Sequence, residues 1–218
     1  MSKDWNYIDM RMRRKPNLIA RTERCAHVLI ADPESYRGRW LCNFGYRELH
    51  VELGCGKGRF TVDVAKSEPD IFFVALEKSD NVIVIPLERV VAEGLQNVRF
   101  INEFADNLTE YFAPGEVSRI YINFCDPWPS NRHSKRRLTS QRFLESYKNI
   151  LAPQGELHFK TDNLPLFEFS LNEFERNSFK VTETIYDLHK NGPVGIMTDY
   201  EQKFMNQGRT IYQCKIRM

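Results

Sequence analysis

The chain has 218 residues, 42% of them hydrophobic, and a net charge of +2 at pH 7. That is enough apolar content for one domain, residues 1–218, with a full core; no linker, low-complexity tract or internal repeat divides it. No run approaches transmembrane length, and Met1-Ser2-Lys3-Asp4-Trp5 is charged with no apolar leader, so a cytoplasmic protein with no membrane association is expected.

Residues 1–45 read as a basic arm and a helix added to a core that runs from 46 to 218. Residues 49–53 form a strand that runs into glycines, and 60–67 start a helix. Residues 71–76 are a continuous apolar strand ending in Glu77, and 81–94 have helical spacing, with Pro86 expected to kink or shorten the helix. A short strand at 98–101, a strand at 118–124, a helix at 139–151 and a strand at 156–160 follow. Residues 179–182 and 210–214 are strand-like without a clear crossover helix between them. Repeated βα units with buried-type strands predict an α/β fold, doubly wound and Rossmann-like, with a mostly parallel sheet and an antiparallel C-terminal edge pair.

The charge is unevenly placed. Residues 1–31 carry seven Lys or Arg against three acids, and residues 127–144 carry five Lys or Arg and no acid. Such patches suit a polyanionic partner, although either one alone reads equally well as a solvated face. Cys25, Cys42, Cys55, Cys125 and Cys214 are odd in number and form no CxxC pair, so reduced thiols are expected. The five histidines show no ligand spacing, and no metal is expected.

Glu52-Leu53-Gly54-Cys55-Gly56-Lys57-Gly58 closes the first core strand. Alternate glycines let a turn adopt positive φ and approach a ligand closely. A nicotinamide fingerprint, GxGxxG, would need glycine where Arg59 stands. With an acid before the first glycine and the third at Gly58, the turn has the methyltransferase form, E-x-G-x-G-x-G. Glu77 can accept both ribose hydroxyls of a nucleoside. S-adenosylmethionine fits best: it has no pyrophosphate, and Glu52 can help hold its amino-acid end.

Further on, Asn123-Phe124-Cys125-Asp126-Pro127-Trp128-Pro129-Ser130-Asn131-Arg132-His133-Ser134-Lys135-Arg136-Arg137-Leu138 sets a carboxylate between rigid neighbours, directly before a basic loop. That arrangement suits a site that handles a base while the loop holds phosphates. Trp128 reads equally as a base-stacking platform or a structural wedge. Asp162-Asn163 has a second reading as a helix N-cap, and Thr198-Asp199-Tyr200-Glu201 as a capping box.

With these motifs the chain resembles the bacterial tRNA (guanine-N7-)-methyltransferase family over nearly its whole length. The resemblance rests on Glu52 to Gly58, Asn123 to Leu138, Phe159-Lys160-Thr161-Asp162-Asn163, and Thr198-Asp199-Tyr200-Glu201-Gln202-Lys203-Phe204 with Gly208 after it. It implies methyl transfer from S-adenosylmethionine to N7 of a variable-loop guanosine in tRNA; whether the chain acts as a monomer or homodimer, the sequence does not say. Glu52, the turn glycines Gly54, Gly56 and Gly58, Glu77 and Asp126 are the implied cofactor positions, with Asp126 also catalytic. Asp162 and the segment Thr198, Asp199, Tyr200, Glu201 would bind the guanosine. Arg132, His133, Lys135, Arg136 and Arg137 would touch the RNA. Two positions depart from the pattern. Phe104 stands where the family usually has an acid at the adenine amine, which leaves adenine to backbone groups of Phe104 or Ala105. Ser130, at a substrate position, replaces the usual Lys.

The chemistry accords with these residue types. Guanine N7 has a lone pair and no proton, so no general base must act before attack. The task is to position the base and offset the positive charge that builds on it. Asp126, Asp162 and Glu201 are candidate acceptors for guanine N1–H and the N2 amine, and the sequence does not say which takes which. The rivals are an amino-methyltransferase acting on another RNA or DNA base and a non-catalytic RNA-binding protein.

Overall fold

The structure, a computed structural model, describes residues 15–218. The first part of the expected basic arm, residues 1–14, lies outside the described residues.

Among the described residues eight strands form one sheet in the order β1-β4-β3-β2-β5-β6-β8-β7. They are β1 (Leu29–Ile30), β2 (Leu49–Leu53), β3 (Phe72–Leu76), β4 (Val98–Ile101), β5 (Val117–Asn123), β6 (Leu151–Thr161), β7 (Lys180–Ile185) and β8 (Tyr212–Arg217). Strands β1 to β6 run parallel, while β8 pairs antiparallel with both β6 and β7. The helices are α1 (Leu18–Arg24), α2 (Trp40–Phe44), α3 (Arg59–Ser67), α4 (Asp80–Ala92), α5 (Leu108–Tyr111), α6 (Gln141–Ile150), α7 (Leu164–Arg176) and α8 (Asp199–Asn206). The expected doubly wound sheet with an antiparallel C-terminal pair is present, although only β7 of that pair lies at the edge.

Alternation along each strand divides the core in two. Phe72, Val74 and Leu76 face one side with Trp40, Phe112, Phe143 and Phe167. Phe73 and Ala75 face the other with Phe60, Ile83, Leu87 and Val90. Every residue of β3 is buried, which is why the strand reads as an unbroken apolar run.

Three expectations change. Helix α4 runs through Pro86 without a break. The proline ring is buried against Gly58, where an added Cβ would lie 2.2 Å from Pro86 Cβ. The glycine leaves room for the ring, while the N–H that proline lacks still costs the helix one backbone bond. Strand β6 begins at Leu151, because Ala152-Pro153-Gln154-Gly155 forms an irregularity within the strand instead of a turn before it. Residues 1–45 also supply strand β1, which pairs with β4 at the sheet edge.

Burial holds His50 down to about 3 and His158 to about 4, so both are neutral in the folded chain. Unfolded histidine titrates near ~6.5, so the unfolded state takes up more protons below that pH. Stability is therefore complete above that value and declines as pH falls from it toward the folded values. The melting temperature should be lower at pH 5 than at pH 7.5, and His50→Gln should remove part of the difference.

Candidate functional site

The carboxyl ends of the parallel strands form one edge of the sheet. The order reverses at β2, whose neighbours are β3 and β5, and this opens a crevice over its end. The glycine turn lies there, with φ of 77°, 57° and 73° at Gly54, Gly56 and Gly58. A Cβ at Gly54 or Gly56 would meet nothing within 4 Å, so these two glycines face open space. Four N–H groups of the turn are already used. Gly54 and Cys55 donate to Leu76 O, Gly58 donates to Cys55 O, and Gly56 donates to Glu77 Oε2 at 3.1 Å. A turn that spends its donors internally is a poor phosphate cradle and a good wall for an uncharged nucleoside.

Glu77 directly follows β3 and also accepts from Ser79 N at 3.0 Å, so it fastens the turn to the next helix. Glu52 is buried beneath the turn, where Thr61 Oγ1 and Asn123 Nδ2 donate to its two oxygens at 2.5 and 3.0 Å. Burial raises its carboxyl, and the Thr61 and Asn123 bonds oppose the rise. Glu52 braces the turn from below and does not line the open face. Phe104, three residues after β4, is 57% exposed. Ala105 beside it starts a short 3-10 turn, Ala105–Asn107.

The segment after β5 is strained. Phe124 and Trp128 have φ of 56° and 42°, the left-handed region that bulky side chains rarely adopt. Arg137 holds this elbow in place: Nε donates to Pro127 O at 3.0 Å, Nη2 to Trp128 O at 2.9 Å, and the guanidinium lies 4.2 Å from the Phe169 ring. Arg137 is buried, and burial lowers its pKa. The expectation that it touches RNA is therefore corrected. Asp126, at the tip, has a side chain 52% exposed and lies 3.9 Å from Lys78 Nζ. Arg136 covers the Trp128 ring at 4.9 Å and His133 tilts against it at 5.9 Å, so the indole is packed as a wedge within its own loop. Ser130, Arg132, Lys135 and Arg136 are exposed, and residues 131–136 form a 3-10 turn.

The last elements differ most from expectation. Asp162 is paired with Arg209 at 2.6 Å, and Asn163 caps α7 by accepting from Leu166 N. Thr198 and Glu201 form a capping box on α8. Glu201 is fully buried, with both oxygens 3.1 and 3.2 Å from Lys160 Nζ and Oε1 2.9 Å from His189 Nε2. It is not an open acceptor for guanine. Asp199 turns away and pairs with Arg89 of α4 at 3.3 Å. Tyr200 is exposed, and next to it Phe204 packs on Phe124 with ring centroids 5.8 Å apart, which brings α8 against the Asp126 elbow. The sequence reading missed Lys78, Thr61, Asn123, His189, Arg209 and the role of Lys160. The one available signal was Lys160, a charge between Phe159 and Thr161 near the end of a strand, where the structure buries all three.

All five cysteines are free. Among the described residues no group of three or more His, Cys, Asp or Glu could hold a metal, and no helix is long and apolar enough to cross a membrane.

A family described as "Putative methyltransferase" matches residues 46–214. The tRNA (guanine-N(7)-)-methyltransferase of Geobacillus kaustophilus is 45% identical over 208 residues, covering 94% of this chain and 96% of that protein. The Bacillus velezensis protein of the same name is 44% identical over 209 residues, 95% and 96% of the two chains. Among solved structures, the 16S rRNA methyltransferase KamB superposes with a TM-score of 0.62 at 15% identity over 79% of this chain and 88% of its own. A SAM-dependent methyltransferase from Aquifex aeolicus gives 0.54 at 15% identity over 93% and 99%. At such identities the two structures speak to the fold alone.

Proposed function

Because the chain belongs to the tRNA (guanine-N(7)-)-methyltransferase family, we propose that it methylates N7 of a guanosine in tRNA, with S-adenosylmethionine as donor and the variable loop as target. The observation that carries this reading is Asp126: a half-exposed carboxylate on a clamped, strained elbow, at the point where the strand order reverses.

The residues at the sheet edge fit the donor. When bound, S-adenosylmethionine supplies a sulfonium methyl open to attack. Glu77 is placed to accept from the ribose hydroxyls, Gly54 and Gly56 leave room for close approach, and Glu52 keeps the turn rigid from below. Backbone groups of Phe104 and Ala105 are at hand for adenine. Asp126 orients the guanine and offsets the charge that develops on it. Its contact with Lys78 is no obstacle. Both side chains are about half exposed and 3.9 Å apart, a pairing worth roughly 0–1 kcal/mol, so an incoming base can replace it. Asp162 is the second acceptor on the guanosine side, once the base takes the place of Arg209 on its carboxylate. Arg132, Lys135 and Arg136 hold tRNA phosphates. The direct test is to incubate the protein with labelled S-adenosylmethionine and unmodified tRNA, digest the RNA and identify the product. Labelled 7-methylguanosine is the expected result; a labelled amino-methylated base would establish the rival activity.

Glu77→Ala should weaken S-adenosylhomocysteine binding by about 1.5–3 kcal/mol, roughly ten- to a hundredfold. The ribose loses a charged acceptor and the turn loses its tie at Gly56. Calorimetry on the folded variant decides it, and unchanged affinity would remove Glu77 from the ribose. Replacing Arg132, Lys135 and Arg136 together by Ala should raise the KM for tRNA and flatten its salt dependence. For every phosphate no longer neutralised, the log–log slope falls by roughly 0.7–0.9. A wild-type slope would mean that the three side chains form only a solvated face.

A further inference from the structure

We infer that Lys160 is a positioning residue, which fixes the guanosine-side arm, residues 186–211, against the Asp126 elbow. It rests on the methyltransfer reading only for the meaning of the arm. Lys160 is 8% exposed near the end of β6. Its ammonium donates to both oxygens of Glu201 and, at 3.3 Å, to Ile196 O. Glu201 in turn meets His189 Nε2 and Thr198 N. Every one of these groups belongs to the arm. The other end of Lys160 serves the elbow: its carbonyl accepts from Phe124 N at 2.9 Å, and Asn123 is its register partner on β5. One residue thus holds the strained backbone ahead of Asp126 with its main chain and the arm with its side chain.

A buried ion pair is ordinarily a costly structural feature, and apolar residues of similar size often replace it without loss. Two facts argue for more here. The arm leaves the sheet after β7 and returns only at β8, and it carries Tyr200 and Phe204 to the elbow. Its other ties to the rest of the chain include two partly buried pairs, Arg89–Asp199 with side chains 38% and 35% exposed and Arg209–Asp162 with 46% and 17%. The Lys160–Glu201 pair is the buried one, so it sets where α8 lies.

Lys160→Met alone leaves Glu201 as a buried charge, so the decisive variant is Lys160→Met with Glu201→Met. Three quantities are measured: hydrogen exchange of residues 187–207 in the free protein, S-adenosylhomocysteine affinity by calorimetry, and KM and kcat on unmodified tRNA. The double variant should melt near the wild-type temperature and bind S-adenosylhomocysteine normally. Residues 187–207 should exchange faster, and kcat/KM should fall about tenfold or more, mainly through KM. A double variant with normal exchange and normal KM overturns the inference, because the pair would then be structural only. So does faster exchange across the whole sheet, or an equal loss of cofactor affinity. A wild-type protein inactive on tRNA would overturn the methyltransfer reading, while the exchange data would still decide the role of Lys160.

Discussion

Asp126→Asn should turn over about 10²–10³-fold more slowly than the wild type while binding tRNA as tightly. The change keeps the shape of the side chain and removes its charge, and it places a donor where an acceptor stood. Because the side chain is half exposed and makes only a weak contact with Lys78, the fold should not suffer. The loss belongs to the transition state: a carboxylate held next to a purine that is becoming cationic is worth more there than in the ground state. Single-turnover rates with pre-bound tRNA measure it directly. Near-normal turnover would take Asp126 out of catalysis. The pH profile gives an independent check. N7 has no proton to lose, so the wild-type rate should be nearly flat through neutrality. A tenfold rise per pH unit would instead indicate an amine or ring-nitrogen target that needs a base.

Arg137→Met should lower stability by about 2–4 kcal/mol and cut kcat by about 10²-fold. Two charge-assisted bonds to the Pro127 and Trp128 carbonyls disappear, each worth roughly 1.5–3 kcal/mol and not fully additive. Phe124 and Trp128 sit in backbone conformations that cost roughly 1–3 kcal/mol each and persist only where the surroundings enforce them. Without the clamp the elbow relaxes and Asp126 moves, and a displacement of about 1 Å at a reacting group is enough for a loss of that size. Thermal melting and single-turnover kinetics test both halves. An Arg137→Met enzyme with a normal melting temperature, a normal kcat and a raised KM for tRNA would return Arg137 to the RNA surface.

The arrangement of strands and the glycine turn were legible because each depends on short-range signals: unbroken apolar runs for buried parallel strands, and alternate glycines for a turn with positive φ. The positions of Glu77 and Asp126 followed, since each directly follows, or closely follows, such a strand. What failed to show was partnership across the fold. Arg137 and Arg136 are neighbours in sequence and identical in type, yet one is buried under the elbow and the other lies exposed over Trp128. Glu201 and Asp199 sit in one short motif, yet they point to opposite neighbours, Lys160 and Arg89. No local pattern separates them, because the difference arises only when strands distant in sequence are brought side by side. Pro86 failed for the same reason: its tolerance depends on Gly58, which caps another helix.

The place of β8 bears on how the molecule assembles. It is made after β7 but lies between β6 and β7, so β7 has no partner in the sheet, and β6 has only β5, until β8 arrives. The connecting segment must then be closed as a loop in the same event that completes the sheet. The entropy of closing a loop grows only slowly with its length, and the return comes from a full strand of paired backbone groups on each side of β8. The arm and the sheet edge therefore form together, as one cooperative unit. A defect in β8 far from the crevice, at the fully buried Cys214 for instance, would loosen the arm as well as the edge.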